Sequence, residues 1–139
     1  NVARLNETLT DLLPISEETD ATIKEITPKD YVEAPCVLKI DGKYHLMYSV
    51  GNWTDSSYCV KAAISDNPWG DFRYYADIMK GNEFAKGPGH NGVFSFKEKD
   101  YTAYHRRPVG DGNCHHRTLC IDELKTENGR LVPVVMTND

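Results

Sequence analysis

The chain has 139 residues, the size of one domain or of part of a larger fold. Hydrophobic residues make up 40% and charged residues 27% of it, which is typical of globular and not of disordered proteins. A net charge of −5 without any run of Lys or Arg argues against a nucleic-acid partner, and the apolar runs are too short to span a membrane.

The first thirty residues contain two strand-like pieces, residues 2–5 and 22–26, with a short candidate helix at residues 7–13 that Pro14 would end. We interpret residues 1–30 as the end of a preceding structural unit. The chain begins Asn1-Val2-Ala3 without an initiator Met, and we therefore expect it to lie inside a longer polypeptide.

Four short strands are predicted in the next unit, residues 31–82. Asp41-Gly42 separates the first two and is a strong hairpin signal. The predicted strands cover residues 37–40, 44–50, 58–64 and 72–79.

The same pattern returns in residues 83–139. Tyr48 and Tyr104 hold matching places in the two units and are 56 positions apart. Units of four antiparallel strands are the blades of β-propellers, which hide their sheet edges by packing blade on blade around a ring. Two blades cannot close a ring, so we expect the chain to be part of a larger body. The predicted strands of this unit cover residues 92–96, 101–105, 117–124 and 131–136.

Two residues open the two units and are candidates for chemistry. Glu33 lies two residues before Pro35, at the start of the innermost strand of its unit, where a carboxyl group would face the ring axis and could donate a proton. The alternative is a surface glutamate before a turn. His90 lies in a Gly-Pro-Gly-His-Asn run, 57 positions after Glu33. Its alternative is a hydrogen-bonded loop histidine.

Two further residues are candidates for binding a sugar. Arg117 leads into an apolar strand, where an inward guanidinium needs an anionic or polyhydroxyl partner. Trp53, in the turn at residues 51–57, has a ring that can stack on a sugar face, or it anchors the turn.

The four cysteines point to no metal site and no disulfide scaffold. They form no CxxC pair, and we expect reduced thiols. A zinc site that combines Cys114 and Cys120 with His115 and His116 is disfavoured, because neighbouring residues of a strand point to opposite faces.

Seven short motifs, in this order and spacing, resemble glycoside hydrolase family 43. The resemblance covers nearly the whole chain, and Ala34 stands where the family usually has glycine. It implies an all-β fold that is part of a five-bladed β-propeller, the C-terminal portion of one glycosidase domain. The motifs are Glu-Ala-Pro (33–35), Asp-Gly-Lys-Tyr (41–44), Met-Tyr-Ser (47–49), Ala-Ile-Ser-Asp-Asn-Pro-Trp-Gly (63–70), Gly-Pro-Gly-His-Asn (87–91), Tyr-His-Arg-Arg (104–107) and Arg-Thr-Leu-Cys-Ile-Asp (117–122).

The resemblance also implies roles for individual residues. Glu33 matches the general acid that protonates the leaving oxygen. His90 matches a histidine at the propeller centre that contacts substrate or a bound calcium ion with its waters, and calcium is the one cofactor suggested. Arg117 matches an arginine that reaches the sugar.

The family's catalytic base and the aspartate that tunes the acid lie in blades that this sequence lacks. Asp11, Asp20 and Asp30 do not match them. Because inversion needs an acid and a base on opposite faces of the sugar, we expect this chain alone to be inactive and to need the missing N-terminal propeller segment, from the same or another chain.

The function that the resemblance implies is inverting hydrolysis of arabinose- and xylose-containing plant carbohydrates. The leading interpretation is an exo-acting α-L-arabinofuranosidase or β-xylosidase. Alternatives are an endo-arabinanase of the same fold, a non-catalytic carbohydrate-binding propeller, and a member of the sucrose- and fructan-cleaving propellers, which the motifs around His90 and Arg117 fit less well. No nucleic-acid or membrane partner is implied.

Overall fold

The computed structural model describes residues 1–13 and 23–138, and every regular element in them is a β-strand. These residues include no helix that is long and apolar enough to cross a membrane. The strands are β1 (Val2–Ala3), β2 (Ile23–Lys24), β3 (Tyr31–Ile40), β4 (Lys43–Val50), β5 (Cys59–Ser65), β6 (Arg73–Met79), β7 (Ala85–Phe96), β8 (Lys99–Pro108), β9 (Thr118–Glu123), β10 (Thr126–Glu127) and β11 (Arg130–Leu131).

The first large sheet is an antiparallel meander in the order β3-β4-β5-β6. Its first hairpin turns at Asp41 and Gly42, whose φ angles are 48° and 79°. Two consecutive positive φ values are typical of a type I′ turn, whose twist matches that of the two strands of a hairpin. The hairpin predicted at Asp41-Gly42 is therefore confirmed.

The second large sheet has three strands in the order β7-β8-β9, and the fourth strand predicted at residues 131–136 is wrong. Pro133 has no N–H group to donate to a sheet. The N–H of Val134 instead donates to the carbonyl of Ile78, in β6 of the first sheet, at 2.9 Å. The C-terminal segment thus crosses between the two sheets and ties them together.

The inner strands β3 and β7 are longer than predicted, and both contain a bulge at the same place. Glu33 pairs with Ser49 and Gly89 pairs with His105, and each pairing is followed by a register shift. The next residue has a positive φ in both strands, 57° at Ala34 and 53° at His90. His90 therefore corresponds to Ala34, and the counterpart of Glu33 is Gly89.

The helix predicted at residues 7–13 is wrong. Leu5 and Leu12 form an isolated antiparallel bridge around a turn in which Leu9 has a φ of 60°. The Asn6 side chain accepts a hydrogen bond from the backbone N–H of Thr10 at 3.0 Å. Such local side-chain bonds compete with helical backbone bonds. The strand-like pieces on either side do pair, as β1 with β2, although Thr22 lies outside the described residues.

Apolar side chains fill both faces of the first sheet. One cluster lies between the two large sheets and includes Met47, Val60, Ile78 and Tyr104. A second cluster lies on the opposite face of the first sheet and is formed by Leu46, Tyr48, Val50 and Ala63. Strand β7 packs against β3, β4 and β5, so the bulges of the two inner strands lie at one junction.

Candidate active site

Glu33 lies at the bulge of β3, with its side chain 40% exposed. The hydroxyl of Tyr58 donates a hydrogen bond to Glu33 Oε1 at 2.7 Å. His90 Nδ1 lies 3.7 Å from the same oxygen. The structure thus brings together the two residues that the sequence predicted at the openings of the two units.

The backbone of His90 is fixed by a hydrogen bond, while its ring is exposed. Its N–H donates to Ser49 Oγ at 3.0 Å, and its side chain is 59% exposed. The positive φ at the bulge turns this N–H towards β4 of the other sheet. The exposed ring can therefore contact a ligand beside Glu33.

Tyr58 is fully buried just before β5. Its ring stacks on His105, with centroids 5.8 Å apart and planes at 5°. Burial is the main cause that raises the pKa of Tyr58 to about 12, while a hydrogen bond with Ser49 acts in the opposite direction. Tyr58 is consequently neutral at ordinary pH, and its hydroxyl donates a hydrogen bond to the Glu33 carboxyl group.

His105 forms the far wall of this cluster. Burial, followed by the positive charge of Arg117, lowers the pKa of His105 to about 4. Its Nδ1 is buried without a hydrogen-bond partner among the described residues. The ring centroid of His90 lies 6.4 Å away. The imidazole of His105 is therefore neutral at ordinary pH, and it lies beside the rings of Tyr58 and His90.

Trp53 and Arg117, both predicted to bind a sugar, are neighbours. The Arg117 guanidinium carbon lies 5.6 Å from the Trp53 ring centroid, within range of a cation–π contact. The ring centroids of His115 and Trp53 lie 5.5 Å apart. All three side chains reach solvent, so together they offer a partly aromatic, cationic surface.

The loop of residues 51–57, which carries Trp53, is held by a buried arginine. Arg107 is 3% exposed, and its guanidinium donates to the carbonyls of Thr54 at 3.1 Å and Asp55 at 2.7 Å. A Cβ on Gly87 would lie 2.9 Å from this guanidinium. Two parallel donors hold a backbone more firmly than one.

Four residues of the cluster were not assigned a role from the sequence: Ser49, Tyr58, His105 and Arg107. The strict 56-residue offset relates Ser49 to His105, since they pair with Glu33 and Gly89 respectively. The repeat could therefore have identified Ser49 and His105 as equivalent positions of the two units. For Tyr58 the sequence offered only a tyrosine at the start of a strand.

The described residues do not form a protein cage for a metal ion. They contain no group of three or more His, Cys, Asp or Glu side chains arranged to hold one, and calcium prefers oxygen ligands to an imidazole nitrogen. The four cysteine thiols are unpaired. The calcium contact at His90 remains a prediction.

Two of the three aspartates set aside in the sequence, Asp11 and Asp30, have other partners. Asp30 forms an ion pair with Lys61 at 3.3 Å. Asp11 accepts hydrogen bonds from Asn6 and Thr10 in the N-terminal turn. Asp20 lies outside the described residues. Beside Tyr58 and His90 the structure places the carboxyl group of Glu33, which suits proton donation but does not by itself activate a water on the opposite face of a sugar.

Comparison with known proteins identifies the family of the chain. The family model of the glycosyl hydrolases family 43 matches residues 1–131. A protein of Aspergillus niger named beta-D-galactofuranosidase xynD is 44% identical over 117 residues, 81% of this chain and 34% of that protein. A xylosidase/arabinosidase of Bacteroides ovatus is 29% identical over 96% of this chain and 42% of its own length. The chain thus spans less than half of these relatives.

Solved structures of other proteins match the arrangement of strands in this chain. A thermostable family-43 glycoside hydrolase matches 73% of this chain and 34% of its own, with a TM-score of 0.64 and 32% identity. An α-L-arabinanase of Cellvibrio cellulosa, solved with arabinohexaose, matches 94% of this chain and 48% of its own, with a TM-score of 0.68 and 23% identity; the latter likeness concerns the fold alone. The chain belongs to family 43 of the glycosyl hydrolases and forms part of a five-bladed β-propeller.

Proposed function

We propose that the protein to which this chain belongs is an inverting glycoside hydrolase, with Glu33 as its general acid. The observation that carries the proposal is the placement of Glu33 in a family 43 chain. Its carboxyl group is partly exposed, one oxygen is held by Tyr58, and His90 lies beside it. The substrate class is arabinose- and xylose-containing plant carbohydrate, in line with relatives named xylosidase/arabinosidase and beta-xylosidase.

In the proposed reaction Glu33 protonates the leaving oxygen as the glycosidic bond breaks, and a water attacks from the opposite face of the ring. An inverting enzyme needs a base carboxylate about 6.5–9.5 Å from the acid to activate that water. We assign the base to the portion of the family domain that this chain does not span. His90, Arg117 and Trp53 are proposed to bind the sugar.

The leading specificity is exo-acting cleavage of α-L-arabinofuranosyl or β-D-xylosyl units. A β-D-galactofuranosidase is a second candidate, since the Aspergillus niger relative bears that name at 44% identity. Galactofuranose is a furanose like arabinofuranose, with a longer exocyclic chain. Endo-arabinanase activity is a third candidate, and a non-catalytic carbohydrate-binding protein is the fourth.

Hydrolysis by the full-length protein separates these candidates. Aryl α-L-arabinofuranoside, β-D-xyloside and β-D-galactofuranoside test the sugar, and debranched arabinan tests endo action through release of oligosaccharides. Proton NMR of the first product anomer tests inversion. Binding without turnover on every substrate would favour the non-catalytic alternative.

The role of Glu33 is tested by Glu33→Gln in the full-length protein. We expect a loss of at least 100-fold in kcat on substrates with a poor leaving group, because general acid catalysis contributes about 10²–10⁴-fold. Glu83→Gln, an exposed glutamate between β6 and β7, is the matched control and should retain activity. Full activity of Glu33→Gln on such substrates would refute Glu33 as the acid.

A further inference from the structure

We propose that Tyr58 is the positioning residue of the general acid, fixing which oxygen of Glu33 carries the transferable proton. The inference rests on the proposed role of Glu33. Tyr58 donates to Oε1 at 2.7 Å, so the proton of the neutral carboxyl group is carried by the other oxygen, Oε2.

Tyr58 ends a chain of donors that begins in the neighbouring sheet. The backbone N–H of His90 donates to Ser49 Oγ at 3.0 Å. Ser49 acts on Tyr58 as a hydrogen-bond donor that lowers the pKa of its hydroxyl, and Tyr58 donates to Glu33. Each donor in such a chain polarises the next. The backbone N–H can only donate, so Ser49 Oγ is the acceptor of that bond, and the hydroxyl proton of Ser49 remains available for donation to Tyr58.

The ring of Tyr58 has little freedom to leave this position. The residue is fully buried, and the ring stacks on His105. On another side it lies against the backbone of Gly89, where a Cβ would come 2.7 Å from Cδ1 and overlap the ring. The hydroxyl is therefore held in place by packing and does not depend on its bond to Glu33.

This arrangement favours proton transfer from Glu33. As the C–O bond of the glycoside breaks, its electron pair stays on the leaving oxygen, which takes the proton from Oε2. Glu33 becomes a carboxylate, and the hydrogen bond from Tyr58 becomes charge-assisted and stronger. Tyr58 keeps its own proton throughout, since its high pKa opposes ionisation.

The test is Tyr58→Phe in the full-length protein, assayed with two leaving groups on the same sugar. Removing a hydrogen bond to a charged group should lower kcat by about 10- to 100-fold on an alkyl glycoside, which needs protonation of its leaving oxygen. A 2,4-dinitrophenyl glycoside needs little protonation, and its kcat should fall by less than about threefold. A merely structural role would lower both alike.

Tyr104→Phe is the matched control. Tyr104 is also buried and donates to a carboxylate, Asp122 Oδ2, at 2.6 Å, but it does not contact Glu33. It should lower both activities equally or neither. Ser49→Ala removes the preceding donor and should give a smaller loss of the same selective kind, which keeps the test open if Tyr58→Phe does not fold.

Glu33→Gln separates failure of this inference from failure of the proposed function. A selective loss is one in which kcat falls more on the alkyl glycoside than on the 2,4-dinitrophenyl glycoside. If Glu33→Gln shows a selective loss and folded Tyr58→Phe and Ser49→Ala do not, the role of Tyr58 is refuted and Glu33 remains the acid. If Glu33→Gln shows no selective loss, both proposals fail. Selective loss in Glu33→Gln and Tyr58→Phe, but not in Tyr104→Phe, supports both.

Discussion

The ring of Tyr58 fits beside β7 because Gly89 has no side chain. Substituting Gly89 by alanine would place a methyl group inside the volume of that ring. Overpacking of this kind costs about 1–3 kcal/mol, or moves the side chain that is displaced. We expect Gly89→Ala in the full-length protein to lower the free energy of unfolding by that amount, and to lower kcat on alkyl glycosides.

Gly92→Ala is the control for this prediction. Gly92 lies in the same strand, and a Cβ there would meet nothing within 4 Å. Urea unfolding and kinetics of the two variants give the comparison. Equal stability and equal activity of Gly89→Ala and Gly92→Ala would show that the ring has room to move, contrary to the structure.

Single residues were predictable from the sequence where a motif marked them. Glu33 and His90 stood out because each opens a repeat unit, and the structure brings them within 3.7 Å. Their exact correspondence was off by one residue, since the bulge that turns His90 towards Ser49 depends on backbone angles. Tyr58 was not predictable because its role arises from packing against another sheet.

Among the structural elements, the loop of residues 51–57 depends on Arg107 of β8. Lysine in place of Arg107 would supply one compact ammonium group, which does not match the fork that reaches two carbonyls. We expect Arg107→Lys to loosen the loop and raise KM about tenfold, with a smaller effect on kcat, because Trp53 is proposed to bind the sugar and not to react.

A double-mutant cycle tests whether Arg107 acts through Trp53. The losses caused by Trp53→Ala and Arg107→Lys should not add, so that KM of the double variant equals that of Trp53→Ala. Additive losses would mean that Arg107 affects the site by another route. Thermal unfolding of all three variants checks that the sheets remain intact.

Strands and hairpins could be predicted well because their signals are local. Alternation of apolar residues and the Asp41-Gly42 turn depend on a few neighbouring positions. The bulged halves of β3 and β7 could not, since Pro35 and the glycines around His90 have the composition of loops. The segment after Leu131 also misled the prediction: its apolar residues pack against the first sheet and not alongside β9.

At the scale of the whole molecule, the second sheet has an apolar face turned away from the core. Phe94 and Phe96 in β7, and Leu119 and Ile121 in β9, are between 41% and 74% exposed. Strand alternation and the register of β7, β8 and β9 place all four on one face. An exposed apolar face of this kind is typical of surfaces that another part of a protein covers.

We therefore expect the 139-residue chain, expressed alone, to self-associate or to melt without cooperativity, and to hydrolyse no aryl arabinofuranoside or xyloside. The face bearing Phe94, Phe96, Leu119 and Ile121 would be open to solvent, and the proposed base carboxylate would be absent. Sedimentation, calorimetry and a chromogenic assay measure the three properties, with the full-length protein as the control. A monomer that melts cooperatively would show that two blades suffice for stability. Turnover by that monomer would place a complete acid–base pair within the chain and refute the assignment of the base to the rest of the family domain.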